Sequence, residues 1–279
     1  MRKDSPVKNS STSNEYLMES EDENIRLEIK TDPKALGRQA LWCGVKQGMR
    51  ILDAGCGPGI TTKLLNEMIQ PEGAVVGLDY SARRIEYADK HYKKNESIEF
   101  HLHDLRNPID NFGKFDLIWV RFVLEYHRNE AQQIVKNLIS CLNPGGYICL
   151  LDLDYNCLIH HELPEAMASI LPKIMNAIDE QYNFDTYVGR KLYSFLYDAG
   201  LENINVELMP HNLIYGDIKE KDKFNLTKKI EIAIQRVNPL IQDYRGGAKQ
   251  FYADFVKYLA DPRRFTYTPL LLCNGKKPL

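Results

Sequence analysis

The chain has 279 residues, 44% of them hydrophobic, and a formal net charge of -2. That is enough apolar material for one large domain or two small ones, and the charge balance lacks the basic excess of a nucleic-acid binder. Six cysteines without a C-x-x-C pair read as buried reduced thiols, no apolar run nears the ~18 residues of a membrane span, and the first residues lack a signal peptide's apolar core; a cytoplasmic protein fits all three readings.

Residues 1–13 are polar and rich in serine and lysine, and read as a disordered tail. Residues 14–47 read as a helical N-terminal segment. Tyr16, Leu17, Ile25, Leu27 and Ile29 form an apolar stripe among acids, and Asp32-Pro33 reads as an N-cap with proline at the first helical position. The rest, 48–279, opens on a strict alternation. MRILDAG, AVVGLDY, IEFHLHD, FDLIWVRF and GGYICLLDLD read as strands; ITTKLLNEMI, ARRIEYADKHYKK and NEAQQIVKNLISCL read as helices. Strand and helix taking turns over short connections predict an α/β fold, a doubly wound, mostly parallel sheet covered on both faces.

The rhythm breaks after Tyr155. Residues 161–182 read as a helix that Pro172 can kink, RKLYSFLYDAGL as a helix stopped by Gly200, and INVELMPHNLIY and FTYTPLLLCN as the last two of seven strands. Between those two strands lie two more expected helices, KDKFNLTKKIEIAIQRVNPLIQDY and AKQFYADFVKYLA. The segments at about 156–190 and 216–262 are therefore helical insertions.

The densest signal is ILDAGCGPGI at 51–60. A glycine-rich turn between a first strand and a helix is where doubly wound folds bind nucleotide-like ligands. Read as G-x-G-x-x-G from Gly55, the pattern fails at Ile60, which counts against a nicotinamide dehydrogenase. Asp79, at the end of the next strand, suits ribose hydroxyls.

At these residues the chain resembles a family, the class I S-adenosylmethionine-dependent methyltransferases. DAGCGPG at 53–59 resembles their first motif, VVGLDYS at 75–81 the ribose-binding second, and FHLHDL at 100–105 the segment whose acid meets adenine. FDLIWVRFVLEY at 115–126 resembles the fourth motif, LNPGGYICLLD at 142–152 the entry to the fifth strand, and YDAGLENINVE at 197–207 the entry to the sixth. The resemblance implies a Rossmann-like seven-stranded sheet with an added N-terminal lid helix, and S-adenosyl-L-methionine as cofactor. Carried over by position, it implies that Gly55, Cys56 and Gly57 border the methionyl part and that Asp53 orients the loop. Asp79 would bind the ribose, Tyr80 and Arg84 would flank the adenine, and Asp104 and the Leu105 amide would bond it. Val120 and Arg121 would lie below the cofactor; Tyr16 and Arg26 sit where such enzymes carry a lid, and Arg26 or Arg121 suits the cofactor carboxylate. Many members read L-E-H-L where this chain has Leu124-Glu125-Tyr126-His127, so the histidine is displaced by one residue, about 100° of helix.

The expected reaction is in-line methyl transfer in which alignment is the main contribution. His127, Asp152 and His103 are the candidate bases. The lid and insertions, with aromatics such as Tyr182, Phe184, Tyr187 and Tyr215, would roof a pocket for a small organic acceptor, and the 216–262 insertion also suits a homodimer interface. A protein, peptide or RNA substrate would need a docking groove or basic face, and a silent cofactor-binding module would share the same motifs. No metal is expected: His160 and His161 are adjacent and point apart, without an acid cluster at ligand spacing.

Overall fold

Period-two burial explains the sheet. In each of four neighbouring strands consecutive residues go to opposite apolar layers: Ile51, Val75, Leu117 and Cys149 to one, Leu52, Val76, Ile118 and Leu150 to the other. A strand apolar on both faces can only sit in the middle of a three-layer sandwich. The computed structural model, which describes residues 27–28, 31–94, 96–155, 159–237 and 241–279, has that arrangement.

The strands are β1 (Arg50–Ala54), β2 (Ala74–Asp79), β3 (Ile98–Leu102), β4 (Phe115–Arg121), β5 (Leu142–Leu153), β6 (Ile159–His160), β7 (Glu202–Tyr215) and β8 (Phe265–Lys276). Their order is β3-β2-β1-β4-β5-β8, with β7 on the far side of β8. The pairs from β3 to β5 are parallel, and β8 runs antiparallel to β5, β6 and β7. The seven expected strands are all present. The eighth, β6, is a two-residue strand that pairs with Thr266 and Tyr267 of β8, beyond the stretch that β5 covers; two residues are too short to leave a periodic signal.

The helices are α1 (Pro33–Trp42), α2 (Ile60–Ile69), α3 (Ala82–Tyr92), α4 (Ala131–Ser140), α5 (Glu165–Gln181), α6 (Leu192–Asp198), α7 (Glu220–Arg236) and α8 (Gly247–Leu259). Asp32 caps α1 through its carboxylate, which accepts from the Lys34 and Ala35 amides at 3.0 and 3.4 Å. Helix α5 continues through Pro172. Helix α7 stops at Arg236, short of the stretch that reads as helical, with Val237 as its C-cap.

Helices α5, α7 and α8 have a core of their own, built from Ile174, Ile178, Ile230, Phe251 and Phe255 together with Phe184 and Ile214. It is separate from the two layers on the sheet. The insertions thus form a helical cap carried on the long β7–β8 pair. Among the described residues no helix is long and apolar enough to cross a membrane, five cysteines are free and buried, and no three or more His, Cys, Asp and Glu side chains could hold a metal. Cys157 and the tail 1–13 lie outside the described residues.

Candidate functional site

The turn after β1 answers what its glycines are for. Gly55 has φ 80°, and a Cβ there would stand 2.3 Å from Val123 Cγ2. Glycine lets that turn pass under the loop following β4. Gly57 has φ 55°, and among the described residues a Cβ there would meet only Leu27 Cδ1, at 3.9 Å. Beyond Gly57 is an open cavity, lined also by Cys56, Pro58, Ile60 and Thr61. The Gly55 and Cys56 amides are spent on Leu78 O, at 2.7 and 2.9 Å, which ties the turn to β2.

Acids and arginines surround the cavity. Asp79 is buried and accepts from the Gly57 amide at 3.0 Å and the Ser81 amide at 2.9 Å, with Arg84 Nη1 3.8 Å away. Burial raises its pKa, against the pull of Arg84 and both amides. Asp104, just past β3, holds Arg106 in a fork at 2.5 to 3.0 Å, and those bonds lower its pKa. Register pairs Ala54 of β1 with Val120 of β4, so Arg121 falls beside Gly55. Arg121 Nε donates to Gln39 Oε1 at 3.2 Å, and its guanidinium lies 4.2 Å from the Phe122 ring centre. Desolvation pulls its pKa down to about 10, opposed by Asp53 and Asp152.

The matching family model is described as a methyltransferase domain and covers residues 45–231. The chain belongs to the class I S-adenosylmethionine-dependent methyltransferases. Juvenile hormone acid O-methyltransferase of Drosophila melanogaster is 24% identical over 178 residues, which are 61% of this chain and 59% of the relative. Ubiquinone biosynthesis O-methyltransferase of Coxiella burnetii is 30% identical over 112 residues, 39% of this chain and 46% of the relative. The chain thus spans about half the length of the curated relatives it matches. Haemonchus contortus phosphoethanolamine N-methyltransferase 2, solved with phosphomonomethylethanolamine and S-adenosylhomocysteine, shares the fold at a TM-score of 0.57 and 17% identity, covering 92% of this chain and 57% of that one.

Members of this family use S-adenosylmethionine as cofactor, and the cavity suits it. The unfilled space at Gly57, the Asp79 carboxylate and the side chains at Tyr80, Asp104 and Leu105 border one continuous surface. A nucleoside with a short zwitterionic tail needs that combination of acid, apolar wall and close backbone.

Of the residues singled out in the sequence, the structure brings Gly55, Cys56, Gly57, Asp79, Tyr80, Arg84, His103, Asp104, Leu105, Arg121 and His127 to the cavity wall. Arg84 lies buried beneath Asp79 rather than exposed like Tyr80, whose ring centre is 6.0 Å from it. Asp53 and Val120 are buried behind the wall. Asp53 accepts from Thr62 Oγ1 at 2.6 Å, and burial pushes its pKa up to about 7. Val120 packs in the core. Tyr16 and Arg26 lie outside the described residues.

Asp152 requires a correction as a candidate base. It is fully buried and accepts from the Leu124, Glu125 and Leu153 amides at 2.9, 3.2 and 2.9 Å. It fastens the 3-10 turn Leu124–Tyr126 to β5 instead of facing the cavity. His127 does face it, but the charges acting on it are Glu130, Arg106 and Asp104. It therefore belongs to the Asp104 end, and burial lowers its pKa.

Further wall residues escaped sequence reasoning, or were expected only as part of the lid or the roof, as Leu27 and Tyr182 were. Arg106 was signalled only by its place two residues after Asp104, an Asx-turn spacing. Leu27 and Thr31 come from the N-terminal segment, where Glu28 accepts from Tyr87 Oη at 3.1 Å and from the Tyr92 hydroxyl. Tyr182 and Asn183 come from the cap end. Asn183 Nδ2 donates to Glu130 at 2.7 Å while its Oδ1 accepts from the Asn129 amide at 3.0 Å.

Proposed function

We propose that this enzyme methylates a small organic acceptor held between the cofactor surface and the helical cap. The observation that carries the reading is the cavity wall itself. It joins the glycine turn and Asp79 to Phe122, Tyr126, Tyr182 and Asn183, so cofactor side and cap side meet in one recess. The names of the curated relatives, an acid O-methyltransferase and a quinone-pathway O-methyltransferase, support a small acceptor.

In this reading Asp79 takes the ribose hydroxyls, Asp104, Leu105 and Tyr80 the adenine, and Arg121 beside Gly55 the methionyl carboxylate. The sulfonium supplies an electrophilic methyl group. The protein aligns the acceptor and excludes water, effects worth roughly 7–11 kcal/mol in favourable cases. The segment containing Leu27, Glu28 and Thr31 acts as a lid, and the cap at about 156–190 and 216–262 supplies the roof.

The test is calorimetric titration with S-adenosylhomocysteine, then mass-spectrometric detection of methyl transfer across small acids, phenols, alcohols and amines, with a peptide and an RNA pool as comparators. Transfer to a small molecule supports the reading; transfer only to peptide or RNA refutes it.

A further inference from the structure

Arg121 is the last residue of β4, and its register sets it beside Gly55. An arginine side chain is long and has much rotamer freedom to lose, so its guanidinium is aimed only if neighbours hold it. Two neighbours do. Gln39 is buried on α1, 82 residues earlier, and its Oε1 accepts from Arg121 Nε at 3.2 Å. The Phe122 ring backs the guanidinium, with its centre 4.2 Å from Cζ. That ring is placed by an unusual backbone. Phe122 has φ 58°, a left-handed conformation that bulky side chains rarely adopt, and its amide is tied to Leu151 O at 2.9 Å. Strain of this kind gathers at functional sites.

We propose that Gln39 is a positioning residue, which presets Arg121 as an end-on receptor for the carboxylate of S-adenosylmethionine. The inference rests on the assignment of Arg121 in the functional reading above. Gln39 takes the Nε–H and the Phe122 ring takes one face. Among the described residues the bond at Nε is the only hydrogen bond of Arg121, so Nη1 and Nη2 keep their donors for the cavity it lines. Those two nitrogens project in parallel from one rigid plane, which matches the two oxygens of a carboxylate. Asp53 and Asp152 act on Arg121 through space, but each is engaged elsewhere, Asp53 by Thr62 Oγ1 and Asp152 by three amides. With Nε held, the cost of ordering the side chain is met in folding instead of in binding. The neutrality of Gln39 matters as well. A carboxylate at that position would orient the arginine equally and cancel the charge that the ligand needs.

The test is calorimetry with two ligands, S-adenosylhomocysteine and its decarboxylated amine, S-adenosyl-3-thiopropylamine, which keeps the nucleoside, thioether and amino group. Wild-type protein is expected to bind S-adenosylhomocysteine at least about tenfold more tightly, a gap of roughly 1.4 kcal/mol. Gln39→Met keeps the length of the side chain and removes the oxygen acceptor. It should narrow the gap about threefold to tenfold, with affinity for the amine within about twofold of wild type. Gln39→Glu should narrow the gap at least as far, and it decides the matter should Gln39→Met fail to fold. A purely structural role would weaken both ligands alike; that result, or a gap unchanged in either folded variant, overturns the inference. Arg121→Lys keeps the two readings apart. If wild-type protein shows no gap, or Arg121→Lys leaves the gap intact, the carboxylate assignment of Arg121 fails and the inference with it. If Arg121→Lys narrows the gap and the Gln39 variants do not, only the positioning role fails.

Discussion

Asp79→Asn separates a ribose-binding acid from a merely structural one. In the folded protein its two oxygens already accept the Gly57 and Ser81 amides at 3.0 and 2.9 Å, and Arg84 stands 3.8 Å away. A carboxylate has about four acceptor sites, so two remain for the ribose hydroxyls. An asparagine keeps one oxygen and turns an NH2 toward the other amide, donor against donor. One charge-assisted ribose bond is lost, about 1.5–3 kcal/mol, which is roughly a tenfold to 150-fold weaker affinity. The buried Arg84 also loses one nearby negative charge, so the variant should melt lower as well. Calorimetry with S-adenosylhomocysteine, well below the melting temperature and with circular dichroism confirming the fold, reads the first effect alone. Affinity within about threefold of wild type in a folded variant would refute the reasoning and leave Asp79 a clamp for the glycine turn.

Asp53 should make stability fall with rising pH: unfolded it ionises near 3.8 and folded near 7, so between those values the folded state holds the extra proton and loses ground as pH rises. Asp53→Asn should flatten the drop in melting temperature from pH 4 to pH 7; an unchanged profile would show that other groups set it. Glu28→Ala, which removes the acceptor of the Tyr87 and Tyr92 hydroxyls, should speed release of S-adenosylhomocysteine about threefold to tenfold in stopped-flow while leaving the melting temperature within about 2 °C, as one or two exposed-side bonds of about 1 kcal/mol imply. Methyl transfer should persist in EDTA, and a loss reversed by magnesium or zinc would mean that acids near the cavity had been misread.

The half of the site that holds the cofactor was legible because its signals are local. A glycine turn must follow a strand and precede a helix, and an acid must end the next strand; both are stretches of a few residues. Asp152 shows where that logic stops. Its position at the end of β5 places it near the ligand-binding rim, but whether it faces ligand or backbone depends on the loop after β4, about 27 residues earlier in the chain. Two of the three amides that hold it, those of Leu124 and Glu125, cannot be read from its own neighbours. Gln39 under Arg121 is a similar case, a pairing across 82 residues. Strand β6 was missed for the opposite reason, being too short for any periodicity.

The acceptor half is held by long-range polar contacts, and these also explain how a recess so covered admits a ligand. The cap has its own packing, because Phe251, Ile174 and Ile230 share one apolar core. Its described ties to the cavity rim include the Arg128 amide donating to Asn183 O at 2.9 Å. Asn183 bridges to Glu130 and Asn129, the Asp185 amide reaches Glu125, and the Tyr126 ring meets Phe184 edge-on with centres 5.4 Å apart. On the opposite side the described N-terminal segment is tied by Glu28 to two tyrosine hydroxyls on α3, with Leu27 resting over Gly57. Each such bond contributes about 0.5–1.5 kcal/mol net. Breaking these described bonds alone costs a few kcal/mol, within the range of local opening in folded proteins, whereas separating the strands beneath would expose two full apolar layers. In the proposed reading the sheet fixes where the cofactor lies, and these ties on either side govern access to it.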